Sequence, residues 1–335
     1  MKSVIVTGPG TTDVVEIPVP VVGPHDLLVR MRACGICGSD ALYISYGGIP
    51  PRQGATPLGH EPAGEVVEVG AQVHGITVGD HVVVNPIEAG QTGNGGPFGG
   101  LSEFLKIENA ELDRNLAVVP DHLPFDLAAI NEPMAVSRHA VNRTRVRPGD
   151  SVVIFGAGPI GLGAAIAYKL AGAESVVVVD VIPERLATAL AVGADAVING
   201  TDEDVPGRLW ELHGTASNAL GEPRAGTDIY LDAAGAPSVI ETALRAAKQG
   251  ATLGIVAVHT QPVSIDFGAL ITTELNIVTS MGYPTEIFEV TADIAAHVDR
   301  YSPIVSDRFA FQDVQRALVA ASTPGTRGKV VVTFD

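Results

Sequence analysis

The spacing of apolar residues changes near residue 146. Beyond that point, continuous apolar runs bounded by glycine alternate with longer segments in which apolar residues recur every three or four positions. Continuous runs of this length indicate strands buried on both faces, and their alternation with helices indicates a parallel sheet. This part of the chain is therefore predicted to be an α/β domain with a doubly wound parallel sheet. Its predicted strands are residues 151–155, 176–180, 196–199, 228–232, 251–258 and 276–280.

The first 145 residues or so show a different pattern, in which short strand-like runs are separated by proline and glycine. Proline cannot donate a backbone hydrogen bond, so it is confined to sheet edges and connections. This part is therefore predicted to be an irregular, mostly antiparallel β domain. Two other segments carry specific expectations. Residues 201–227 are predicted to form a helix followed by an exposed loop, and residues 328–334 a strand that returns to the first domain.

Charge and composition exclude some classes of function. Lys and Arg number 21 against 38 Asp and Glu, and a net charge of −17 does not attract nucleic acid or anionic lipid. No apolar run reaches the roughly 18 residues that span a bilayer, and the first residues lead into a strand rather than a signal sequence. Two cysteines, Cys34 and Cys37, cannot staple a chain of 335 residues, which suits a reducing compartment. We therefore expect a cytoplasmic protein that binds neither nucleic acid nor membrane.

The first strand of the predicted parallel sheet runs into a glycine-rich turn, Gly156-Ala157-Gly158-Pro159-Ile160-Gly161. Gly156 permits the tight bend, Gly158 lets backbone N–H groups approach a pyrophosphate, and Gly161 lets the next helix pack on the strand. Asp180 ends the second strand, where a carboxylate can accept the ribose hydroxyls of an adenosine. This context favours dinucleotide binding, although similar turns also close βα units that bind nothing.

A second group of reactive residues lies in the first domain. Residues 34–40, with Cys34, Cys37 and Asp40, and residues 59–61, with His60 and Glu61, together offer a thiolate, an imidazole and carboxylates. This is a mixed ligand set of the kind found around zinc. Taken one by one, the motifs also fit a redox Cys pair, half of a zinc ribbon or an ordinary core histidine. A redox pair belongs at a helix start in a βαβ unit, and a ribbon needs a second Cys pair, so the metal hypothesis gains when the motifs are taken together.

These motifs follow one another along nearly the whole chain. They are residues 34–40 (CGICGSD), 59–70 (GHEPAGEVVEVG), 78–82 (VGDHV), 131–140 (NEPMAVSRHA) and the glycine-rich turn. In this order they resemble the zinc-dependent medium-chain dehydrogenase/reductase family, and within it the polyol and butanediol dehydrogenase branch. The resemblance implies a GroES-like catalytic domain of residues 1–145 and 281–335 and a Rossmann NAD-binding domain of residues 146–280. It also implies a homo-oligomer, a dimer or a tetramer, in which the last sheet strand pairs between subunits.

The resemblance further implies which residues bind metal. Cys37 rather than Cys34 would be the thiolate ligand of one catalytic zinc ion, and His60 would be the imidazole ligand. Glu61 and Glu132 compete for the remaining protein position. Residues 85–100, where relatives carry the four cysteines of a structural zinc, are cysteine-free and short, so no structural zinc is expected.

Other residues receive roles from the same resemblance. Ser39 would accept a hydrogen bond from the substrate hydroxyl, and Asp40 would orient a metal ligand. The expected substrate side is lined by Tyr43, Phe98 and Tyr283. The expected cofactor residues are Gly156, Gly158, Pro159, Ile160, Gly161, Asp180 and Arg185.

The implied reaction is reversible hydride transfer between a secondary alcohol, diol or polyol and NAD. Zinc would act as a Lewis acid on the hydroxyl, and Asp180 would repel the 2′-phosphate of NADP. Leu42 stands where many relatives carry a histidine that passes the alcohol proton to water. The proton is therefore expected to leave by a water near Glu132 or Glu61, either of which could act as a catalytic base.

Two alternative functions stay open. One is a metal-free NAD(P)H-dependent enoyl or quinone reductase on the same fold, although such an enzyme has no need for Cys37, His60, Glu61 and Glu132 together. The other is a non-catalytic protein that senses a dinucleotide.

Overall fold

The computed structural model describes residues 1–49, 55–323, 325 and 328–335. Its strands are β1 (Lys2–Gly8), β2 (Thr11–Glu16), β3 (Leu27–Ile36), β4 (Thr56–Pro57), β5 (Glu61–Val69), β6 (His81–Val84), β7 (Phe104–Ile107), β8 (Leu116–Val118), β9 (Ser151–Phe155), β10 (Ser175–Asp180), β11 (Ala196–Asn199), β12 (Thr215–Ser217), β13 (Pro223–Ala225), β14 (Ile229–Asp232), β15 (Thr252–Ile255), β16 (Asn276–Thr279), β17 (Val305–Ala310) and β18 (Lys329–Thr333).

Its α-helices are α1 (Gly38–Tyr46), α2 (Phe125–Ala128), α3 (Asn131–Thr144), α4 (Pro159–Leu170), α5 (Pro183–Ala191), α6 (Val205–His213), α7 (Pro237–Ala246), α8 (Phe267–Leu270), α9 (Glu289–Ala296), α10 (Val298–Tyr301) and α11 (Val314–Ser322). Two short 3₁₀ helices cover Ser302–Ile304 and Phe311–Asp313. In the part of the chain that the structure describes, no helix has the length and apolar character needed to cross a membrane.

The chain divides into two compact units, one of residues 1–132, 287–298 and 305–335 and one of residues 133–286 and 299–304. This division differs from the predicted boundaries because most of α3, together with residues 281–286 and 299–304, belongs to the second unit. The Ser137 hydroxyl donates to the carbonyl of Ile160 at 2.9 Å, and the Thr144 hydroxyl lies 3.0 Å from that of Tyr168. Both partners lie on α4, so residues 133–144 of α3 belong with the parallel sheet.

The second unit contains the parallel sheet that the apolar runs predicted. Its strand order is β11-β10-β9-β14-β15-β16, and every neighbouring pair is parallel. The order reverses beside β9, as in a doubly wound Rossmann sheet, so the crevice for a ligand lies at the carboxyl ends of β9 and β14. The fold-class prediction is confirmed.

One local prediction in this unit was wrong. Residues 201–227 do contain a helix, α6, but the segment after it forms an antiparallel hairpin of β12 and β13 rather than a loop. Gly221 turns the hairpin with φ of 79°, and the N–H of Gly226 donates to the carbonyl of Gly214 at 2.8 Å. The glycines that suggested a loop instead supply the backbone freedom that the hairpin requires.

The first unit is built on a sheet in the order β17-β18-β3-β5-β6-β8, with β7 also paired to β3. Most neighbours are antiparallel, while β17 and β18 are parallel. A smaller sheet has the order β2-β1-β4. The strand predicted near the C-terminal end is β18, which pairs with β3 in the register Val330 to Ile36. This pairing places the start of β18 next to Ile36, the residue that precedes Cys37.

A half-buried histidine in the second unit has an unusual environment. His213 ends α6, with Nδ1 at 2.8 Å from the Thr227 hydroxyl and Nε2 at 3.1 Å from the Ser175 hydroxyl. Burial and the charge of Lys248 lower the pKa of His213 to about 4, against the opposing charges of Asp228 and Asp195. The imidazole is therefore neutral in the folded chain at pH values where the unfolded chain protonates it.

This difference predicts a stability change with pH. The folded pKa lies below the unfolded value of about 6.5, so stability is complete above pH 6.5 and falls as the pH drops toward 4. At pH 5 the loss from this residue is about 1–2 kcal/mol after allowance for its partial exposure. Urea unfolding at pH 7.5 and pH 5 should show a smaller drop for His213→Gln than for the wild type. Equal drops in both proteins would contradict this assignment.

Candidate metal centre and cofactor site

The metal-binding candidates meet where β3 ends and α1 begins. Cys37 is the N-cap residue of α1, and its backbone N–H donates to Asp40 Oδ2 at 2.8 Å. Gly47 ends the helix with φ of 78°. The Cys37 side chain thus lies at the N-terminus of a helix.

His60 and Glu61 approach from the neighbouring strand. β5 begins at Glu61 and pairs antiparallel with β3, which places Glu61 opposite Gly35. A Cβ at Gly35 would overlap Glu61 Oε2, so a glycine is required there for the carboxylate to fit. The register of one strand pair therefore brings a carboxylate and an imidazole to the thiol.

One ligand atom from each of Cys37, His60 and Glu61 lies within 4.8 Å of the other two. His60 and Glu61 are 3% and 1% exposed, and His60 Nδ1 and Glu61 Oε2 have no hydrogen-bond partner among the described residues. Buried polar atoms without partners are costly unless something else satisfies them. The sulfur, nitrogen and oxygen donors suit zinc, so the residues fit a zinc ion.

Cys34, the other thiol, lies outside this group. It is fully buried, and its sulfur donates only a weak hydrogen bond to the Gly35 carbonyl at 3.4 Å. Burial, followed by the charges of Asp40 and Glu61, raises its pKa, so Cys34 stays a neutral thiol in this environment.

A buried carboxylate, that of Asp40, lies beside the imidazole of His60. Asp40 is fully buried, and its Oδ1 lies 3.6 Å from His60 Nδ1, while the Ser39 hydroxyl lies 3.4 Å from His60 Nε2. Burial alone would lower the pKa of His60, but the charges of Asp40 and Cys37 raise it well above its ordinary value. A metal ion binds neutral imidazole, so it would displace this proton on entry. An acid that faces the far nitrogen of a ligand histidine is the usual outer partner of a zinc site.

Lys329 also reaches this centre, although no motif of the sequence pointed to it. Its ammonium lies 2.5 Å from Glu61 Oε1 and donates to the Ile36 carbonyl at 3.1 Å, with only 4% of the residue exposed. Burial lowers the pKa of Lys329, but the charges of Glu61, Cys37 and Glu132 outweigh it and raise the pKa. A lysine that begins the apolar run of β18 was the available signal, because charged residues rarely enter buried strands without a partner.

Glu132, the competing carboxylate, is placed differently from Glu61. It lies in the first turn of α3, is half-buried, and is not a member of the group of three ligand atoms. Two hydrogen bonds hold the side-chain amide of its neighbour Asn131. The amide donates to the Ile287 carbonyl at 2.6 Å and accepts from the Thr291 hydroxyl at 2.7 Å. The structure therefore puts Glu61 among the ligand atoms and Glu132 within charge range of Lys329.

The three aromatic candidates have different positions. The Tyr43 ring lies 6.4 Å from the His60 ring, measured between centroids. Phe98 packs against the core cluster around Leu27 and Leu105, and Tyr283 is buried in the second unit. Of the three, Tyr43 is the one whose ring lies near His60, a member of the metal-binding group of Cys37, His60 and Glu61. Leu42, the residue before Tyr43, is 38% exposed.

The glycine-rich turn has the conformation that its glycines predicted. Gly156 has φ of 100°, and Gly158 is the N-cap residue of α4 with Pro159 and Ile160 in its first turn. A Cβ at Gly161 would overlap the Gly156 carbonyl oxygen, so the helix and the turn can pack only with glycine there. The helix N-terminus beside the turn offers free backbone donors to an anion.

Asp180 faces this turn from the end of β10. Its Oδ2 accepts from the Ala157 N–H at 2.6 Å, and its Oδ1 accepts from the N–H groups of Val181 and Ile182 at 2.7 and 2.9 Å. Arg185 Nη1 lies 3.8 Å from the same carboxylate. The aspartate is thus held in a fixed position.

A cavity of about 400 Å³ opens beside these residues. It is lined by Gly156, Gly158, Asp180 and Arg185, and on its other wall by Ala233, Ala234, Ser238 and Thr242. The sequence motifs did not identify the second wall, which follows β14. The small residues directly after that strand were the signal, because the ligands of doubly wound sheets lie at the carboxyl ends of neighbouring strands.

Patterns of two protein families match the chain. The pattern of the alcohol dehydrogenase GroES-like domain matches residues 23–115, and that of zinc-binding dehydrogenase matches residues 159–297. The sorbitol dehydrogenase of Bacillus subtilis (strain 168) is 30% identical over 344 residues, which cover 96% of this chain and 93% of the relative. The L-threonine 3-dehydrogenase of Symbiobacterium thermophilum is 31% identical over 357 residues, with 98% and 95% covered. The crystal structure of 2R,3R-butanediol dehydrogenase from Bacillus subtilis has a TM-score of 0.85 at 26% identity and matches over 99% of each chain.

The buried contact between Lys329 and Glu61 predicts the effect of a substitution. Lys329→Met leaves a buried carboxylate without its counter-ion, which typically costs about 3–5 kcal/mol. The metal-free protein should lose about this much unfolding free energy, and added zinc should restore a larger share of stability than in the wild type. Denaturant titrations with and without zinc measure both effects. Lys329→Arg is the matched control because it keeps the charge, and a Lys329→Met protein as stable as the wild type would disprove the role.

Proposed function

The chain belongs to the family of zinc-binding dehydrogenases with an alcohol dehydrogenase GroES-like domain, and we propose that it oxidises a secondary alcohol, diol or polyol to a ketone with zinc and NAD. The membership confirms the resemblance that the motifs indicated. The observation that carries the proposal is the close group of Cys37, His60 and Glu61, in which the buried Glu61 Oε2 has no hydrogen-bond partner among the described residues. The sorbitol and butanediol dehydrogenases among its relatives support the substrate class.

In this proposal Cys37, His60 and Glu61 hold the zinc ion. Bound zinc supplies a Lewis acid that favours loss of the hydroxyl proton, and bound NAD supplies the hydride acceptor. The charge of Asp40, whose Oδ1 lies 3.6 Å from His60 Nδ1, favours a ring orientation in which Nε2 binds the metal. Lys329 neutralises Glu61, which limits the repulsion between that carboxylate and the Cys37 thiolate.

Ser39 is proposed to accept the hydrogen bond of the substrate hydroxyl, because its own hydroxyl lies 3.4 Å from His60 Nε2. The proton must then reach water without a histidine at position 42, since the Leu42 side chain cannot accept it. Glu61 is already ion-paired with Lys329. With Glu61 proposed as a metal ligand, we assign Glu132, half-buried at the start of α3, as the proton acceptor.

Asp180 is proposed to select NAD. The carboxylate already accepts three backbone N–H groups, and the cation beside it, Arg185, lies 3.8 Å from it. A 2′-phosphate at this place would meet a fixed negative charge, whereas a free 2′-hydroxyl can donate to it.

The cofactor assignment predicts the behaviour of Asp180→Asn, which removes the charge and keeps an acceptor oxygen. The KM for NAD should rise about 10-fold, because a hydrogen bond to a charged acceptor is worth roughly 1.5 kcal/mol more than one to a neutral acceptor. The preference for NAD over NADP, measured as the ratio of kcat/KM values, should shrink by a similar factor. A wild-type protein that prefers NADP would contradict the assignment.

The metal assignment predicts one zinc ion per chain, measured by elemental analysis. Cys37→Ala and His60→Ala should each remove zinc and lower NADH formation with secondary alcohols by at least about 10³-fold, since the Lewis acid is lost. Both should still fold, as judged by circular dichroism. Cys34→Ala is the matched control and should keep its zinc. Full activity after chelation would favour the metal-free reductase, and NAD binding without turnover of any alcohol would favour a sensing protein.

A homo-oligomer is proposed from the edge of the parallel sheet. β16 is the last strand in the sheet order, and large apolar side chains that precede and follow it in the sequence are exposed. Phe267, Ile271 and Met281 are 73%, 77% and 90% exposed. An open strand edge next to exposed apolar residues suits pairing with a second copy, which would extend the sheet and cover these side chains.

The remaining proposals concern location and partners. Both cysteines are free, which supports a reducing cytoplasmic compartment. A net charge of −17 argues against nucleic acid as a partner. The proposed partners are thus the small-molecule alcohol and ketone, the cofactor and further copies of the chain.

A further inference from the structure

The cysteine-free segment of residues 85–100 packs directly against Leu58 and Gly59, the two residues that precede His60. A Cβ at Gly93 would overlap the Gly59 carbonyl, and one at Gly99 would overlap the Leu58 carbonyl. The N–H of Gly100 donates to the Gly59 carbonyl at 2.7 Å, and the N–H of Leu101 donates to that of Leu58 at 3.0 Å. The segment therefore has a fixed position relative to a proposed metal ligand.

Hydrogen bonds within the segment fix its shape as well. Thr92 is fully buried, and its hydroxyl donates to the Ala89 carbonyl at 2.8 Å. The N–H of Gly93 donates to the Phe98 carbonyl at 2.8 Å, and the N–H of Asn94 to the Gln91 carbonyl at 2.9 Å. Asn94 thus projects from a backbone that is held on both sides.

The Asn94 side chain contacts Tyr43. Its Oδ1 accepts from the Tyr43 hydroxyl at 3.1 Å, and the Tyr43 ring lies 6.4 Å from the His60 ring. Ser39 and Tyr43 are four residues apart on α1, so they share a helix face. The Tyr43–Asn94 pair therefore lies one helical turn beyond the serine that faces the metal-binding group.

The pair has hydrogen-bonding capacity left for a ligand. An asparagine amide has two N–H donors, and no described residue accepts a hydrogen bond from Asn94 Nδ2. The Tyr43 oxygen donates its proton to Asn94 and can still accept. Both residues are half-buried, so a substrate group that covered them would have to satisfy these atoms.

We propose that Asn94 and Tyr43 together bind a second hydroxyl group of the substrate and so make the enzyme selective for diols and polyols over simple secondary alcohols. The inference rests on the proposed function, because it places the reacting hydroxyl at Ser39. One helical turn spans about 5.4 Å, which suits a second hydroxyl two or three carbons from the reacting carbon. A single hydroxyl can donate to Tyr43 Oη and accept from Asn94 Nδ2.

Matched substrates test the proposal directly. Pentane-2,4-diol is compared with pentan-2-ol, and hexane-2,5-diol with hexan-2-ol, because each pair differs only in the second hydroxyl. The wild type should favour the diol in kcat/KM by about 10–100-fold, the usual effect of one or two hydrogen bonds in a partly buried site. Asn94→Ala and Tyr43→Phe should each reduce this ratio to within about 3-fold of one. The double variant should lose no more than either single variant, because the two residues act as one unit.

A binding measurement provides a second readout. Calorimetric titration of the zinc-loaded protein with hexane-2,5-diol, without NAD, should give a Kd about 10-fold weaker in Asn94→Ala than in the wild type. Zinc content and thermal unfolding should stay unchanged. Leu42→Ala is the matched control, because it alters an exposed residue of α1 outside the pair.

The outcomes separate the two proposals. Diol ratios or diol Kd values that stay unchanged in folded, zinc-loaded Asn94→Ala and Tyr43→Phe would overturn the role of the pair, and so would a wild type that binds no diol. A wild type that binds the diol through Asn94 but oxidises no alcohol would overturn the proposed function alone.

Discussion

The buried ion pair between Glu61 and Lys329 is the contact on which the metal-binding group depends. Glu61, Asp40 and the Cys37 thiol bring three acidic groups around one histidine, in a region where Asp40 and Glu61 are almost completely shielded from water. Such a set of charges is unfavourable unless cations neutralise it. Lys329 supplies one positive charge from β18. Glu61 Oε2, which has no hydrogen-bond partner among the described residues, calls for another. The ion pair also joins residues 268 positions apart, so it ties the last strand to the centre of the main sheet.

Glycine residues allow backbone and side chains to pack closely at the metal-binding group and at the glycine-rich turn. Gly35 leaves space for the Glu61 carboxylate, and Gly93 lets the segment of residues 85–100 lie on the backbone next to His60. In the second unit, Gly161 lets α4 pack on the Gly156 turn. In each case the glycine matters because a neighbouring group occupies the position of its Cβ. The functional groups therefore depend on backbone packing as much as on their own chemistry.

Residues 85–100 have a defined packing arrangement. The sequence shows only that they lack the cysteines of a structural zinc. Their backbone is instead held by its own hydrogen bonds and by close contact with Leu58 and Gly59. This packing is rigid enough to present one polar side chain, Asn94, to Tyr43. A shortened loop can thus add a specific contact to an active site when it is packed against a ligand-bearing segment.

The sequence by itself determined the fold class, the six parallel strands, the glycine-rich turn and the residue types of the metal-binding group. These features are local: strand and helix periodicity, turn glycines and short motifs each lie within one stretch of chain. The sequence predicted a loop where β12 and β13 pair. Glycines are compatible with a loop and with a hairpin, and only the pairing of the two strands decides which one forms. The tertiary structure alone decided that Glu61 rather than Glu132 joins Cys37 and His60, that Lys329 neutralises it, and that Asn94 meets Tyr43. Those contacts arise from the order and register of strands far apart in the chain, such as β18 beside β3, and no local pattern of residues encodes which distant strands become neighbours.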